Sequence, residues 1–274
     1  MNTIRPSTRF DLHLHTQRSD GRFDADEVLR RCAAGGLEVV ALTDHDLATE
    51  LRPGVHDIDG HQLRLLAGAE VSGTHEGREF HLLVYFPGEV PVGFRDFCRM
   101  QCQARAERFD HAVRSLGLGG LSGPDAAAVR GERALTRHHL ARALVEAGHV
   151  PSTGDAFARY LDHRHGHVPV LGLSFVEAIR VARAFGGLTS WAHPPLQSVR
   201  DHLATFVEAG LQGLEAVRPH VNAKARKHYK KAAKRHGLFL TGGSDWHGWR
   251  DPALGLFQVQ AHEIAGFVDA LQAA

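Results

Sequence analysis

Residues 10–21 read FDLHLHTQRSDG, and this stretch is the most informative structural signal in the chain. Its first half alternates apolar and polar residues, which predicts a β-strand that turns its apolar side chains to one face and Asp11, His13 and His15 to the other. The two imidazoles therefore point the same way. Because imidazole and carboxylate groups together bind first-row metals, the pattern indicates a metal site beside this strand.

Working outward, the chain alternates predicted strands with helices. Asp24 and Glu27 form a capping signature for the first helix, which Gly35 and Gly36 end. Strands are predicted at 37–43, 63–71, 80–86, 187–193, 213–218 and 238–245, and further helices at 199–209 and 223–236. Strands that alternate with helices imply parallel crossovers, so we predict an α/β fold of the barrel type.

Residues 94–167 break this alternation, because they show helical patterns and no convincing strand. One helix takes Phe94 and ends at Gly117, a second begins at Thr136 and ends at Gly148, and a third carries Phe157. We therefore predict a barrel domain made of residues 1–93 and 168–274, with residues 94–167 as a helical insertion that caps the substrate.

Composition limits the kinds of partner. The chain has 274 residues, 43% of them hydrophobic, and 32 Lys and Arg against 31 Asp and Glu, so no overall charge attracts it to DNA or membranes. The basic run at 224–235 is interpreted as the solvated face of an outer helix. The three cysteines form no C-x2-C pair, and no apolar run suits a signal peptide or membrane span. We expect a cytoplasmic protein that needs no membrane and no obligate protein partner.

Most of the residues of metal-binding type lie at the end of a predicted strand or just past it. Asp20 is the exception, because it lies further along the segment that follows the first strand. Since the carboxyl ends of parallel barrel strands form one face, we expect these side chains to converge. The set comprises His13, His15, Asp20, His45, Glu70, His81, His193, Asp245 and His247. That many donors suit two or three metal ions. Such a cluster lowers the pKa of bound water towards ~7 and supports in-line displacement, which predicts hydrolysis of a phosphate ester.

These motifs resemble those of the polymerase-and-histidinol-phosphatase (PHP) family of metal-dependent phosphoesterases, and the resemblance spans nearly the whole chain. It rests on His13-x-His15, Asp20-Gly21, Thr43-Asp44-His45, Glu70, His81, Ala192-His193-Pro194 and Gly243-Ser244-Asp245-x-His247. The resemblance implies a distorted (β/α)7 barrel with a trinuclear metal site. It also implies divalent ions, Mn2+ first, with Zn2+ or Fe2+ as alternatives.

The family's ligand roles carry over residue by residue, because every matching position holds the expected residue type. The resemblance implies one metal held by His13, His15, Glu70 and Asp245, a second that shares Glu70 and adds His81 and His193, and a third held by Asp20, His45 and His247. It assigns no metal to Asp44 or Asp46, which we expect to orient His45.

The insertion resembles that of the bacterial branch that removes the 3′-phosphate from 3′,5′-nucleotide bisphosphates and degrades short RNA from its 5′ end. The narrower match lies in 135–142, 156–161 and 167–169. A helix N-terminus beside a guanidinium binds phosphate well, so we predict that Arg137, His139 and Arg142 contact the substrate. Solvated charges at an exposed helix start are the alternative interpretation.

As mechanism, we expect hydroxide generated at the metals to attack the 3′-phosphorus. Arg137 would neutralise the developing charge, and His193 or His247 would assist the leaving oxygen.

Three other functions share parts of this pattern. Histidinol-phosphate phosphatase, or another small phosphomonoesterase, would use a similar site, but a cationic substrate calls for an acidic pocket, whereas the insertion offers Arg130, Arg133, Arg137 and Arg142. A scaffold or interaction barrel would accompany a polymerase segment, which the sequence lacks. An amidohydrolase acting on C–N bonds gives no reason for the phosphate-binding helix start.

Overall fold

A computed structural model describes residues 4–249 and 251–274, and strands and helices alternate along most of its length. The strands are β1 (Arg9–Leu14), β2 (Val39–Leu42), β3 (Gly54–Ile58), β4 (His61–His75), β5 (Arg78–Phe86), β6 (Leu188–Trp191), β7 (Gly213–Val217), β8 (Phe239–Gly242) and β9 (Val259–Gln260). The helices are α1 (Ala25–Ala34), α2 (Val92–Leu116), α3 (Ala126–Val129), α4 (Arg137–Glu146), α5 (Thr153–Ala156), α6 (Phe175–Ala184), α7 (Leu196–Glu208), α8 (Ala223–His236) and α9 (Ala265–Ala273).

The strands form one sheet in the order β8-β7-β6-β5-β4-β2-β1-β9, with β3 paired to β4. The pairs β1–β2, β2–β4, β6–β7 and β7–β8 are parallel, as the alternation predicts. The prediction is wrong for β5, which is antiparallel to both of its neighbours. Only Glu76 and Gly77, both with positive φ, connect β4 to β5, and this two-residue connection makes a hairpin because it is too short for a crossover.

Main-chain contacts between β1 and the segment after β8 nearly close the sheet into a barrel. The backbone N–H of His15 donates to the carbonyl of Trp246 at 3.0 Å, and that of Asp245 donates to the carbonyl of His13 at 2.9 Å. This approach requires Gly243, because a Cβ there would lie 2.5 Å from the Cβ of His13. The strands β1, β2 and β4 to β8 thus make the predicted distorted (β/α)7 barrel, with the short strands β3 and β9 as additions that the sequence did not reveal.

Helix α1 begins and packs as its sequence predicts. The Asp24 side chain accepts the backbone N–H of Glu27, and the apolar stripe from Val28 to Cys32 is buried against the sheet. On the other side of the barrel, Trp191 is fully buried among Phe175 and Phe206, so its role is packing.

The 94–167 region is helical in the structure, and its longest helix belongs to two cores. The first half of α2 places Phe94 and Cys98 in the barrel core, while its second half packs Phe109 and Ala112 with the helices that follow. Gly117 ends α2 in the left-handed conformation, and a single π-helical turn covers Phe157–Leu161. The short α3 was not predicted. Among the described residues, no helix is both long and apolar enough to cross a bilayer.

Candidate metal centre

Strand β1 and the segment after β8 supply the first side chains of the centre. His13 and His15 are fully buried, and the Nε2 atom of each lies 3.3 Å from a carboxylate oxygen of Asp245. Because main-chain hydrogen bonds join the two segments, this spacing is fixed by the closure of the barrel. Their donor atoms form one compact group of metal-ligand type.

Glu70, in the middle of β4, is the centre's most surrounded carboxylate. It is fully buried, and imidazole nitrogens lie 3.0 to 3.3 Å from its two oxygens. The imidazoles belong to His13, His15, His45, His81 and His193. A carboxylate surrounded by imidazoles in this way would help hold divalent cations together with those imidazoles.

Asp20 completes the opposite end of the centre. Its Oδ1 atom lies 3.2 Å from Nε2 of His247, and its Oδ2 atom lies 3.7 Å from Nε2 of His45. With His15, these residues form a second compact ligand group. The structure therefore brings together all nine side chains that the sequence singled out.

Unpartnered buried atoms provide a test of whether a metal fits here. His13 Nε2, His15 Nε2, Asp20 Oδ1, His45 Nδ1 and Glu70 Oε2 are buried and lack an aligned hydrogen-bond partner. Buried polar atoms in proteins are almost always satisfied, so such a concentration calls for a partner. Each of these atoms belongs to a residue of the overlapping ligand groups, and nitrogen and oxygen donors of this kind suit divalent first-row ions. The residues fit a metal cluster.

The charges of the centre are balanced by shared protons. Burial raises the pKa of Glu70, but His45, His13 and His81 outweigh it and hold that pKa well below its usual value. Burial lowers the pKa of His81, yet Glu70 and Glu79 raise it to about 10. In the same way Asp20 overcomes burial and raises the pKa of His247 to about 9. Imidazole protons thus neutralise the carboxylates, and a metal ion would displace them.

Two buried carboxylates outside the predicted set hold the ligands in place. Glu215, fully buried on β7, accepts Nδ1–H of His13 at 2.9 Å and the backbone N–H of His193 at 2.6 Å. Asp11 accepts the backbone N–H of Ser244 at 2.8 Å, and burial raises its pKa to about 7. The sequence analysis missed Glu215, although a lone charge inside an apolar strand is a signal that could have revealed it.

Helix α2 contributes two buried arginines that the sequence analysis also missed. Arg105 Nε lies 2.5 Å from Asp46, and Arg108 Nη2 lies 2.8 Å from Glu79, which in turn contacts His81 at 3.4 Å. Both arginines occupy positions on the apolar face of α2. A charged residue at such a position was the signal that the sequence offered.

Neither Asp44 nor Asp46 orients His45 through a side-chain contact, contrary to our expectation. Asp44 instead accepts hydrogen bonds from Thr16 and Ser19, and Asp46 accepts the backbone N–H of Ser72. Residues after β1 thus occupy the Asp44 carboxylate, and the β4 backbone together with Arg105 occupies that of Asp46.

Backbone strain is concentrated at the same place. Asp46, His193 and Asp245 all have positive φ values, of 50°, 29° and 58°. Residues other than glycine adopt this region at a cost of about 1–3 kcal/mol each and keep it where the surrounding structure requires it. The strained positions of His193 and Asp245 aim their side chains into the centre.

The predicted substrate residues lie on α4, whose first turn borders the centre. Trp249 Nε1 donates to the carbonyl of Asp20 at 2.8 Å, and the Arg142 guanidinium stacks over the Trp249 ring at 4.5 Å. His139 caps its own helix, because its Nδ1 atom accepts the backbone N–H of Thr136 at 3.1 Å. Its neighbour His138, not singled out from the sequence, packs on Trp249 and has an unpartnered Nε2 atom.

Comparisons with known proteins agree with this geometry. The family model for the PHP domain matches residues 11–158, more than half of the chain. The 5′-3′ exoribonuclease Rnm of Escherichia coli is 29% identical over 87% of this chain and 85% of its own length. The 3′,5′-nucleoside bisphosphate phosphatase of Chromobacterium violaceum is 28% identical over 86% of each chain. The solved structure of a Bifidobacterium adolescentis protein, assigned as a metal-dependent phosphoesterase, superposes with a TM-score of 0.76 at 27% identity and covers 95% of each chain.

Proposed function

The chain belongs to the PHP domain family and is a metal-dependent phosphoesterase, and we propose that it removes the 3′-phosphate from 3′,5′-nucleotide bisphosphates such as adenosine 3′,5′-bisphosphate. The observation that carries the proposal is the position of α4. The N-terminus of this ten-residue helix borders the metal centre through the Trp249 contact with Asp20. Helix N-termini bind anions, so this one would hold a second phosphate of the substrate beside the one that is cut.

Two or three divalent ions, Mn2+ first, would bind the nine side chains as the family resemblance implies. His13, His15, Glu70 and Asp245 would hold one ion, Glu70, His81 and His193 a second, and Asp20, His45 and His247 a third. Bound ions would supply a lowered water pKa and positive charge for an in-line displacement. Mixed imidazole and carboxylate donors support Mn2+, with Zn2+ and Fe2+ as the alternatives.

The chain's own residues would position the substrate and move its protons. Arg137, at the first position of α4, would pair with the phosphate that is not cut, with His139 and Arg142 near it. Among the imidazoles of the centre, those of His193 and His247 are the most exposed, at 31% and 26%, so a substrate can reach them. Either is suited to protonate the leaving oxygen.

Short RNA with a 5′-phosphate is a second proposed substrate. A 3′,5′-bisphosphate has the chemistry of the first nucleotide of such an RNA, with the rest of the strand replaced by hydrogen. The similarity to the E. coli exoribonuclease across most of both chains supports this second activity.

The experiment compares phosphate release from adenosine 3′,5′-bisphosphate, adenosine 3′-phosphate and histidinol phosphate by the Mn2+-loaded protein. The proposal expects the highest kcat/KM on the bisphosphate, and in Arg137→Ala a larger loss on the bisphosphate than on the monophosphate. Arg130→Ala is the matched control, because Arg130 is an exposed arginine of the insertion that pairs with Glu132. No release from the bisphosphate, or equal losses on both nucleotides, would overturn the proposal.

We propose that residues 1–93 and 168–274 form the barrel domain and residues 94–167 an insertion that covers the substrate, which the separate apolar cluster around Leu140 and Leu144 supports. We also propose a cytoplasmic location and no obligate protein partner. The location is supported by Cys32, Cys98 and Cys102, which are all buried free thiols and suit a reducing compartment.

A further inference from the structure

A second group of metal-ligand type lies outside the phosphoesterase centre. It consists of His75, the last residue of β4, Glu76 in the turn that follows, and His202 in the middle of α7. One donor atom from each residue lies within 4.8 Å of the others. Nε2 of His75 is 3.8 Å from Oε1 of Glu76, and the two imidazole rings are 5.0 Å apart at an angle of 78°.

The ring spacing matches that of the phosphoesterase centre itself. There His13 and His15, which are proposed to hold one ion, have ring centroids 5.1 Å apart. His81 and His193, which are proposed to hold another, are also 5.1 Å apart and lie edge-on at 80°. His75 and His202 therefore have the mutual geometry that the centre shows between imidazoles proposed to hold the same ion.

The hydrogen bonding of this pair is incomplete. His202 is 8% exposed and packs against the aromatic rings of Phe80 and Phe206. Throughout the described part of the chain, neither ring nitrogen of His202 has a hydrogen-bond partner, and those of His75 have only the Glu76 carboxylate nearby. Among the described residues, no other group therefore competes for the lone pairs of the two imidazoles, which remain available to a cation.

The backbone holds the three residues in place without the ion. Thr74, beside His75, donates its backbone N–H to the carbonyl of Leu173 and its hydroxyl to that of Leu171, which fixes the end of β4. Glu76 adopts a positive φ of 48° in the tight turn, and its side chain is 69% exposed. One buried imidazole, one half-buried imidazole and one exposed carboxylate leave an open side for water.

We propose that His75, Glu76 and His202 bind one Zn2+ ion, with water as the fourth ligand. Two imidazoles and one carboxylate form a ligand set typical of zinc with an open position. The ion would join the tip of the β4–β5 hairpin to α7. That hairpin carries Glu70 and His81. The ion would therefore connect α7 to the two strands that contribute these residues to the phosphoesterase centre.

The test measures zinc equivalents per chain. Full-length protein is stripped of metal, reloaded with Zn2+, separated from free ion by gel filtration and analysed by mass spectrometry. His75→Gln, Glu76→Gln and His202→Gln are compared with wild type and with His111→Gln, an exposed histidine on α2 that serves as matched control. The proposal expects each of the three variants to lose one equivalent and the control to lose none.

A second measurement separates this site from the phosphoesterase centre. Phosphate release by the Mn2+-loaded His75→Gln variant should equal that of wild type, because His75 belongs to neither the centre nor the proposed substrate site. Equal zinc content in wild type and His75→Gln would overturn the proposal, and so would a loss of zinc accompanied by an equal loss of phosphoesterase activity. If His202→Gln does not fold, His75→Gln and Glu76→Gln decide the question, since both positions lie at the surface of the hairpin.

Discussion

Replacing Glu215 by glutamine should weaken metal binding without changing the shape of the site. The buried carboxylate accepts two N–H groups, one from the ring of His13 and one from the backbone of His193. Glutamine has a single acceptor oxygen, so its amide NH2 must face one of these donors. Leaving a buried donor without an acceptor costs about 1–3 kcal/mol.

The expected loss of metal affinity has a similar size. Removing the group that orients a metal ligand typically lowers affinity 10- to 100-fold, and each factor of ten corresponds to about 1.4 kcal/mol. The two lines of reasoning agree, because His13 keeps Nε2 directed at Glu70 and Asp245 only while Nδ1 is held.

Calorimetric titration of metal-free protein with Mn2+ measures this loss directly. Glu208→Gln, the same substitution at an exposed position at the end of α7, is the control and should behave as wild type. Activity at limiting Mn2+ should fall in Glu215→Gln and recover at least partly as Mn2+ is raised. An unchanged Mn2+ affinity would refute the assignment of Glu215 as a positioning residue.

Four further outcomes follow from the same geometry. The pKa of His81 is raised to about 10 in the metal-free protein, so Mn2+ binding should release protons. Calorimetry in buffers of different ionisation enthalpy should detect this release. Below pH 9 the Mn2+ affinity should therefore rise with pH. The raised pKa stabilises the metal-free fold fully below about 6.5, and this contribution should be lost as pH rises towards 10, which urea unfolding would reveal. Arg105→Ala leaves Asp46 buried and unpaired, so urea unfolding should show a loss of about 3–5 kcal/mol, and a loss below 1 kcal/mol would contradict it. Gly243→Ala should displace His13 and reduce the number of bound Mn2+ ions, whereas undiminished metal content would show that the backbone yields elsewhere.

The barrel and its ligands could be predicted because they depend on local patterns. The alternation around His13, the apolar strands and the placement of each donor after a strand are all visible in the sequence. The direction of β5 could not be predicted from these patterns. The crossover rule assumes a helix between two strands, whereas only the Glu76–Gly77 turn lies between β4 and β5.

The supporting residues were harder to predict because their partners are distant in sequence. Glu215 is 202 positions from His13, and Arg105 is 59 positions from Asp46, so no short motif joins them. His139 illustrates the opposite case, because a motif drew attention to it while the local backbone of Thr136 occupies its Nδ1 atom. A motif identifies which residues take part, but packing determines which atoms remain available.

The most direct test of the account is a crystal structure of the Mn2+-loaded protein with anomalous diffraction recorded near the manganese edge. The account predicts two or three strong anomalous peaks among the nine side chains, one of them between His13, His15 and Asp245 and at least one more against Glu70. A map with no peak between Glu70 and Asp245, from crystals grown in saturating Mn2+, would contradict the claim that these residues bind a metal cluster.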